Sequence, residues 1–445
     1  LNKNLKVLGL VLTILTVLAA CDDQSVNKTE YKDDSGGDLG SIPEDIGTFD
    51  VNEGIGGFAT GGYDENAIHP TQVGWTRQSR FEGVDEPEIK QTFELPGRIH
   101  SLSEKSEPIV DADGNFYFKV NESDEETGSY EGEIDGYYAM NREGEILWER
   151  TRYHQEYDVI PGNSAILSPS LDTNNRLIGM LEDSKVAGLD KETGEMDFVY
   201  ELESNLANHE PWPQVIDSEG VTYLTHDGQI IAINPDGSVK WEYGDEDKPD
   251  ISNPAISEDR LFVKSRSGIM ALDLNGDVLW EEGLDRVMGN DQSNVLIADD
   301  GSLYFAHGDR LMSFSPDGDL IWDVEVDEDE DQTTYFSGYN GLALSGDGLI
   351  IGLFLPNLYA FDLDGNEVWQ ADAERSFGGI VVDSNGDSYF ASQSRVYSFD
   401  SSGERKWTLD LPLSGAGDVV IGPNQELYLT VDGIDESKLI IIGNK

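Results

Sequence analysis

An aromatic residue recurs four positions after a glycine along most of the chain. Six of the eight tryptophans obey the rule: Gly144/Trp148, Gly237/Trp241, Gly276/Trp280, Gly318/Trp322, Gly365/Trp369 and Gly403/Trp407. A seventh copy, Gly194/Phe198, carries phenylalanine instead. Successive glycines are 50, 43, 39, 42, 47 and 38 residues apart. A period near forty residues means an array of similar units that bury their apolar faces against one another.

Each copy has the same internal plan. An apolar pair precedes a small residue and an Asp, Asn or Ser, then comes the glycine turn and the tryptophan, as in "IIAINPDGSVKW", "IMALDLNGDVLW" and "LMSFSPDGDLIW". Alternation on both sides of a short polar turn specifies a β-hairpin. "NPDG" and "SPDG" suit a type I turn closed by a left-handed glycine. About twenty residues upstream of each hairpin, a second polar turn leads into a strand ("DADGNFYFKV", "DSEGVTYLTH", "DSNGDSYFAS"), and a short aliphatic segment precedes it ("WPQVI", "GGIVV"). Each unit is therefore four short antiparallel strands, A to D, and no helical periodicity is sustained. Such units predict an all-β chain folded as a β-propeller.

Seven units contain a D strand. An eighth, about residues 410–445, stops after "KLIIIGNK". "PEIKQTFELPG", Pro87 to Gly97, stands where a preceding D strand belongs, with Gln91 in the tryptophan's place. The expectation is an eight-bladed β-propeller of four-stranded antiparallel blades, its ring closed by strands from both termini, which removes exposed sheet edges.

The pattern small-x-[Asp/Asn/Ser]-x-x-Gly-x-x-x-Trp resembles the tryptophan-docking repeat of the PQQ-type (pyrroloquinoline quinone) propellers over residues 70–445. The resemblance implies that Trp148, Phe198, Trp241, Trp280, Trp322, Trp369 and Trp407 pack onto neighbouring blades, a structural role. The plan is also similar to that of the propeller lipoprotein of the bacterial outer-membrane β-barrel assembly machinery. Quinoprotein dehydrogenases of this family typically carry a vicinal cysteine pair, calcium-ligating acids and a catalytic aspartate. Cys21 is the only cysteine, so that pair is absent. A non-enzymatic binding or scaffolding module is the favoured reading, and a PQQ-dependent dehydrogenase the alternative.

The first twenty residues read as an export signal: Lys3 and Lys6, an apolar run from Val7 to Leu18, then small residues. "LAAC", Leu18 to Cys21, resembles the bacterial lipobox and implies cleavage before Cys21 and lipid attachment to its sulfur. Residues 21–69 read as a flexible acidic tether rich in Asp, Ser, Gly and Asn. The protein is thus expected outside the cytoplasm, bound to a membrane by lipid, on the cell surface or the periplasmic side. Asp22 directly after the cysteine marks inner-membrane retention in cells with two membranes.

Acidic residues number 88 against 29 basic ones, a net charge of −59. Such a surface repels phosphate backbones and argues against nucleic-acid binding. The excess runs the length of the chain, which fits adaptation to high salt or high external pH. An acidic face meant for a basic partner or calcium is the other reading. "DADGN" (Asp111–Asn115) and "DSNGD" (Asp383–Asp387) look like the start of calcium loops, but a strand follows each where an EF-hand needs its loop and helix. They read as hairpin turns, and no cofactor is expected beyond weak calcium binding by acidic loops. The histidines His69, His100, His154, His209, His226 and His307 show no close metal spacing. No nucleophile elbow, zinc-protease motif or phosphate loop is present.

With strands alternating in direction, the A–B and C–D turns share one rim, and the B–C and D–A connections share the other. The glycine turns are short and regular. The irregular insertions, 121–136 and 323–341, fall on the second rim, where variable loops on a rigid scaffold carry binding. Protein partners are expected there, with the propeller itself a monomer.

Overall fold

A computed structural model of the chain describes residues 67–68, 79, 81–97 and 109–445, apart from 112, 121–135, 152–168, 173, 182–184, 202–213, 218, 227, 245–250, 258, 266, 285–292, 294, 299, 327–334, 337–340, 374–378 and 434–435. Every regular element among them is a β-strand, and the strands form eight antiparallel sheets. Blade 4 is representative: Ile251–Ile256, Arg260–Ser265, Gly268–Asp273 and Val278–Gly283 lie side by side in chain order. The eighth sheet combines Val420–Gly422, Glu426–Asp432 and Ser437–Asn444 with Pro87–Glu94 as its outer strand. The expected closure by both termini is therefore present.

The apolar core explains why the ring must close. Buried side chains form eight clusters, and each is shared by two consecutive blades. Val215, Tyr223 and Ile230 of blade 3 meet Ile256, Leu261 and Met270 of blade 4. The last cluster joins Tyr428 and Ile441 of blade 8 to Phe116 and Tyr138 of blade 1. A four-stranded blade has two apolar faces, so an isolated blade would leave both in water, and closure covers the last pair.

The N-terminal strap is stitched to blades 7 and 8 before its strand begins. The Ser79 amide donates to the Val382 carbonyl (2.7 Å), and the Ser384 amide to the Phe81 carbonyl (3.1 Å). The Gly83 amide donates to Asp383 (2.8 Å), and the Asp85 and Glu86 amides to Asn444 Oδ1 (2.9 Å each). Further upstream, Ala67–Ile68 pair with Asp111 and Val110 on the inner edge of blade 1. Two residues assigned to the tether are thus part of a blade's sheet.

Candidate functional site

The glycine turns of the first rim are docking sockets. Each repeat glycine has positive φ, from +66° at Gly194 to +92° at Gly318, as the turn chemistry requires. The structure adds a second reason for glycine. A β-carbon on Gly318 would lie 2.7 Å from Trp280, one on Gly276 2.8 Å from Trp241, and one on Gly403 2.6 Å from Trp369. Gly365 meets Trp322, Gly194 meets Trp148 and Gly237 meets Phe198 in the same way. Each aromatic ring sits on the glycine of the following blade, so glycine and tryptophan of one motif serve two different interfaces. The indole N–H donates to a carbonyl of the same turn: Trp148 to Lys191 (2.7 Å), Trp241 to Leu274 (3.0 Å), and Trp280, Trp322 and Trp369 to Pro316, Leu363 and Ser401 (2.9 Å each). Trp407 has no following repeat and donates to Val84 of the strap (2.7 Å).

The closing blade departs from the pattern at one position. Gln91 does occupy the tryptophan's register, opposite Ile441 and just past the strand bulge. The ring that rests on Gly144, however, is that of Phe93, two residues on. In the other seven blades the aromatic faces a small residue: Ala139, Gly188, Ala232, Ala271, Ser313, Ala360 or Ser398. Ile441 leaves no room for an indole, so the docking ring moves along the strand.

The A–B turns on the same rim use one oxygen of each aspartate to close the turn itself. Asp111 Oδ1 accepts the amides of Asp113 (3.0 Å) and Asn115 (2.8 Å). Asp217 accepts those of Glu219 and Val221, and Asp383 those of Asn385 and Asp387. The second oxygen of each accepts a tyrosine hydroxyl six residues on: Tyr117 (3.1 Å), Tyr223 (2.8 Å) and Tyr389 (3.2 Å). Burial, then the adjacent carboxylate, pushes these phenols well above their ordinary range. Burial, followed by Asp300, pushes Tyr304 up to about 12. These tyrosines pack against the same blades' tryptophans, with Tyr223 and Trp241 ring centroids 5.7 Å apart. Asp111 and Asp383 are therefore turn-forming side chains. Among the described residues, no group of three or more His, Cys, Asp or Glu is placed to hold a metal ion.

On the second rim, most of loops 121–136 and 323–341 lies outside the described residues. Within the latter, Tyr335–Phe336 pair with Leu355 and Phe354, and the Phe336 and Phe354 rings are 5.2 Å apart. The rim side of strand B carries polar groups that sequence reading missed. Lys119, Thr225, Lys264 and Thr430 stand two residues after Tyr117, Tyr223, Phe262 and Tyr428, and all are buried. Lys264 Nζ lies 6.0 Å from the Phe305 ring centroid. His226 and His307 end strand B in blades 3 and 5, which are not adjacent. Gln214 bridges blades 2 and 3 by donating to Ser170 Oγ and the Ile178 carbonyl (3.1 Å each). Polar residues within such strongly apolar strand patterns were the available signal. Cys21 lies outside the described residues.

This arrangement defines a class: eight-bladed propellers whose blades are joined by aromatic-on-glycine docking. A family model described as "Outer membrane protein assembly factor BamB", of the PQQ-repeat type, matches residues 131–353 and 356–436, and the chain belongs to that family. BamB from Moraxella catarrhalis is similar in structure, with TM-score 0.54 and 17% identity over 80% of this chain and 99% of that one. Quinohemoprotein alcohol dehydrogenase from Comamonas testosteroni has TM-score 0.56 and 12% identity over 83% and 79%. Quinohemoprotein alcohol dehydrogenase ADHIIG from Pseudomonas putida HK5 has TM-score 0.58 and 11% identity over 85% and 80%. At these identities the likeness concerns the fold. No curated protein matches.

Three features of the chain bear on a quinone site. A vicinal cysteine pair is impossible with one cysteine, and the buried Asp111, Asp217 and Asp383 are bonded within their own turns. Most innermost-strand residues whose side chains are described are buried and aliphatic, Phe336 being half-buried.

Proposed function

We propose that the chain is an extracytoplasmic propeller that binds proteins, held to a membrane by lipid on Cys21, and that it performs no catalysis of its own. The observation that carries this reading is the division of labour between the rims. The first rim is consumed by interblade docking, with every described repeat aromatic seated on a neighbour. The long, irregular connections between consecutive strands are on the second, while the N-terminal strap lies against the first. Rigid rings with variable loops on one face suit recognition of partner surfaces. The family description, an outer-membrane assembly factor, supports a scaffold role.

Photocrosslinkers placed in 121–136 and 323–341 test this, with controls at Asn385 and Ser401 in the blade 7 turns. Discrete protein adducts from the loops but not from the controls are expected. Adducts from the control turns alone would overturn the choice of face. Quinoprotein chemistry is the second reading, favoured by the two dehydrogenase folds above.

A further inference from the structure

We infer that the outer edge of blades 4 and 5 is a second docking surface, one that takes a basic, amphipathic segment of a partner protein. The inference rests on the scaffold reading. Val278, Leu279, Leu320 and Ile321 are 42%, 48%, 53% and 52% exposed. They sit on strands Val278–Gly283 and Leu320–Glu325, each the last strand of its sheet. The two strands are neighbours, because Trp280 of the first is seated on Gly318, two residues before the second begins. Val239 of blade 3 and Val368 of blade 6 are single exposed valines on the outer strands of the flanking blades.

The fold does not require these side chains to be apolar. The two positions before the tryptophan register hold Met196 and Asp197 in blade 2, Glu367 and Val368 in blade 6, Arg405 and Lys406 in blade 7, and Ile89 and Lys90 in blade 8. Charge is accepted there with the docking intact: Lys406 is ion-paired to Asp85 (2.6 Å) while Trp407 keeps its bond to Val84. Both positions are aliphatic in blades 1, 4 and 5, and only the last two adjoin. Exposed aliphatic pairs on the outer strands of two adjoining blades, which packing does not demand, mark an interaction site.

Charge selects the occupant. Asp277, Glu281, Glu282, Asp317, Asp319, Asp323 and Glu325 border the patch, and residues 273–283 and 315–325 contain no lysine or arginine. Arg260 on the second strand of blade 4 and Arg310 on the third strand of blade 5 reach Asp317 (3.0 Å) and Asp323. A second copy of a chain carrying −59 is repelled at moderate salt. Apolar side chains flanked by lysines or arginines match both features.

The test is fluorescence anisotropy of a labelled short peptide alternating lysine and leucine, titrated with the full chain near physiological salt. Leu279→Asn with Ile321→Asn should weaken binding at least roughly ten-fold, the loss of burial of two aliphatic side chains. Val278→Asn with Leu320→Asn is the independent pair, and Ile146→Asn with Leu147→Asn in blade 1 should change nothing. Unchanged binding by both blade 4 and 5 pairs, or equal binding of a lysine–serine peptide, would overturn the inference. So would a dimer in light scattering that the variants dissociate, since the occupant is then a second copy. None of these results bears on crosslinking from the second rim, which tests the scaffold reading separately.

Discussion

Trp280 rests flat against Gly318 of the next blade: a β-carbon on the glycine would stand 2.7 Å from Cδ2 of the indole, whose N–H is bonded to Pro316. The contact couples a backbone requirement to a packing requirement. Gly318→Ala should destabilise by at least about 2 kcal/mol, through positive φ and the clash together. Trp280→Ala should cost about 3 kcal/mol. The double variant should lose less than the sum, because removing the ring removes the clash, and denaturant midpoints of the four proteins measure that coupling.

Ring closure depends on Phe93 rather than on the tryptophan register. Phe93→Ala should cost about 2–3 kcal/mol. Gln91→Trp, which restores the repeat consensus, should also destabilise, because Ile441 occupies the space that alanine, serine or glycine leaves elsewhere. Gln91→Trp combined with Ile441→Ala should recover much of that loss, read as thermal midpoints.

Mild acid should stabilise the protein. Burial first, against hydrogen bonds that oppose it, holds the Asp383 and Asp387 carboxyls above their ordinary value. A raised carboxyl favours the protonated form in the folded state, so stability is gained as pH falls through the raised value. Relief of the −59 charge acts in the same direction. Asp273, held low by the Asp277 amide, contributes the opposite dependence, present above the ordinary carboxylate range and lost only as pH falls below it. Thermal midpoints should therefore rise from pH 8 toward about pH 5 and fall only in stronger acid.

Salt tests the meaning of the charge. If the acidity is an adaptation to high salt, midpoints should climb markedly up to molar salt, as screening shortens to about 3 Å. A flat response would return the acidic surface to partner recognition.

The repeat made the fold legible, since a glycine–tryptophan pair every forty residues specifies hairpin, blade and ring together. It also located the eighth outer strand within Pro87–Gly97, where the strand is Pro87–Glu94, because a missing D strand must be supplied from the other end. Phe93 was not legible from the motif alone, although "LIIIGNK" held the clue: no small residue stands opposite Gln91. That each glycine serves the preceding blade's aromatic is a relation between repeats, invisible within one copy. Binding residues were the least legible, because their spacing follows a partner's surface rather than this chain's own periodicity. The aliphatic patch of blades 4 and 5 emerges only when equivalent positions around the ring are compared for exposure and charge.

As proposed, this propeller recognises proteins and runs no quinone chemistry. The full chain, incubated with PQQ and calcium, should neither retain the quinone nor reduce an artificial electron acceptor when alcohols or sugars are supplied. Retention of the quinone together with turnover that requires both it and calcium would contradict the claim.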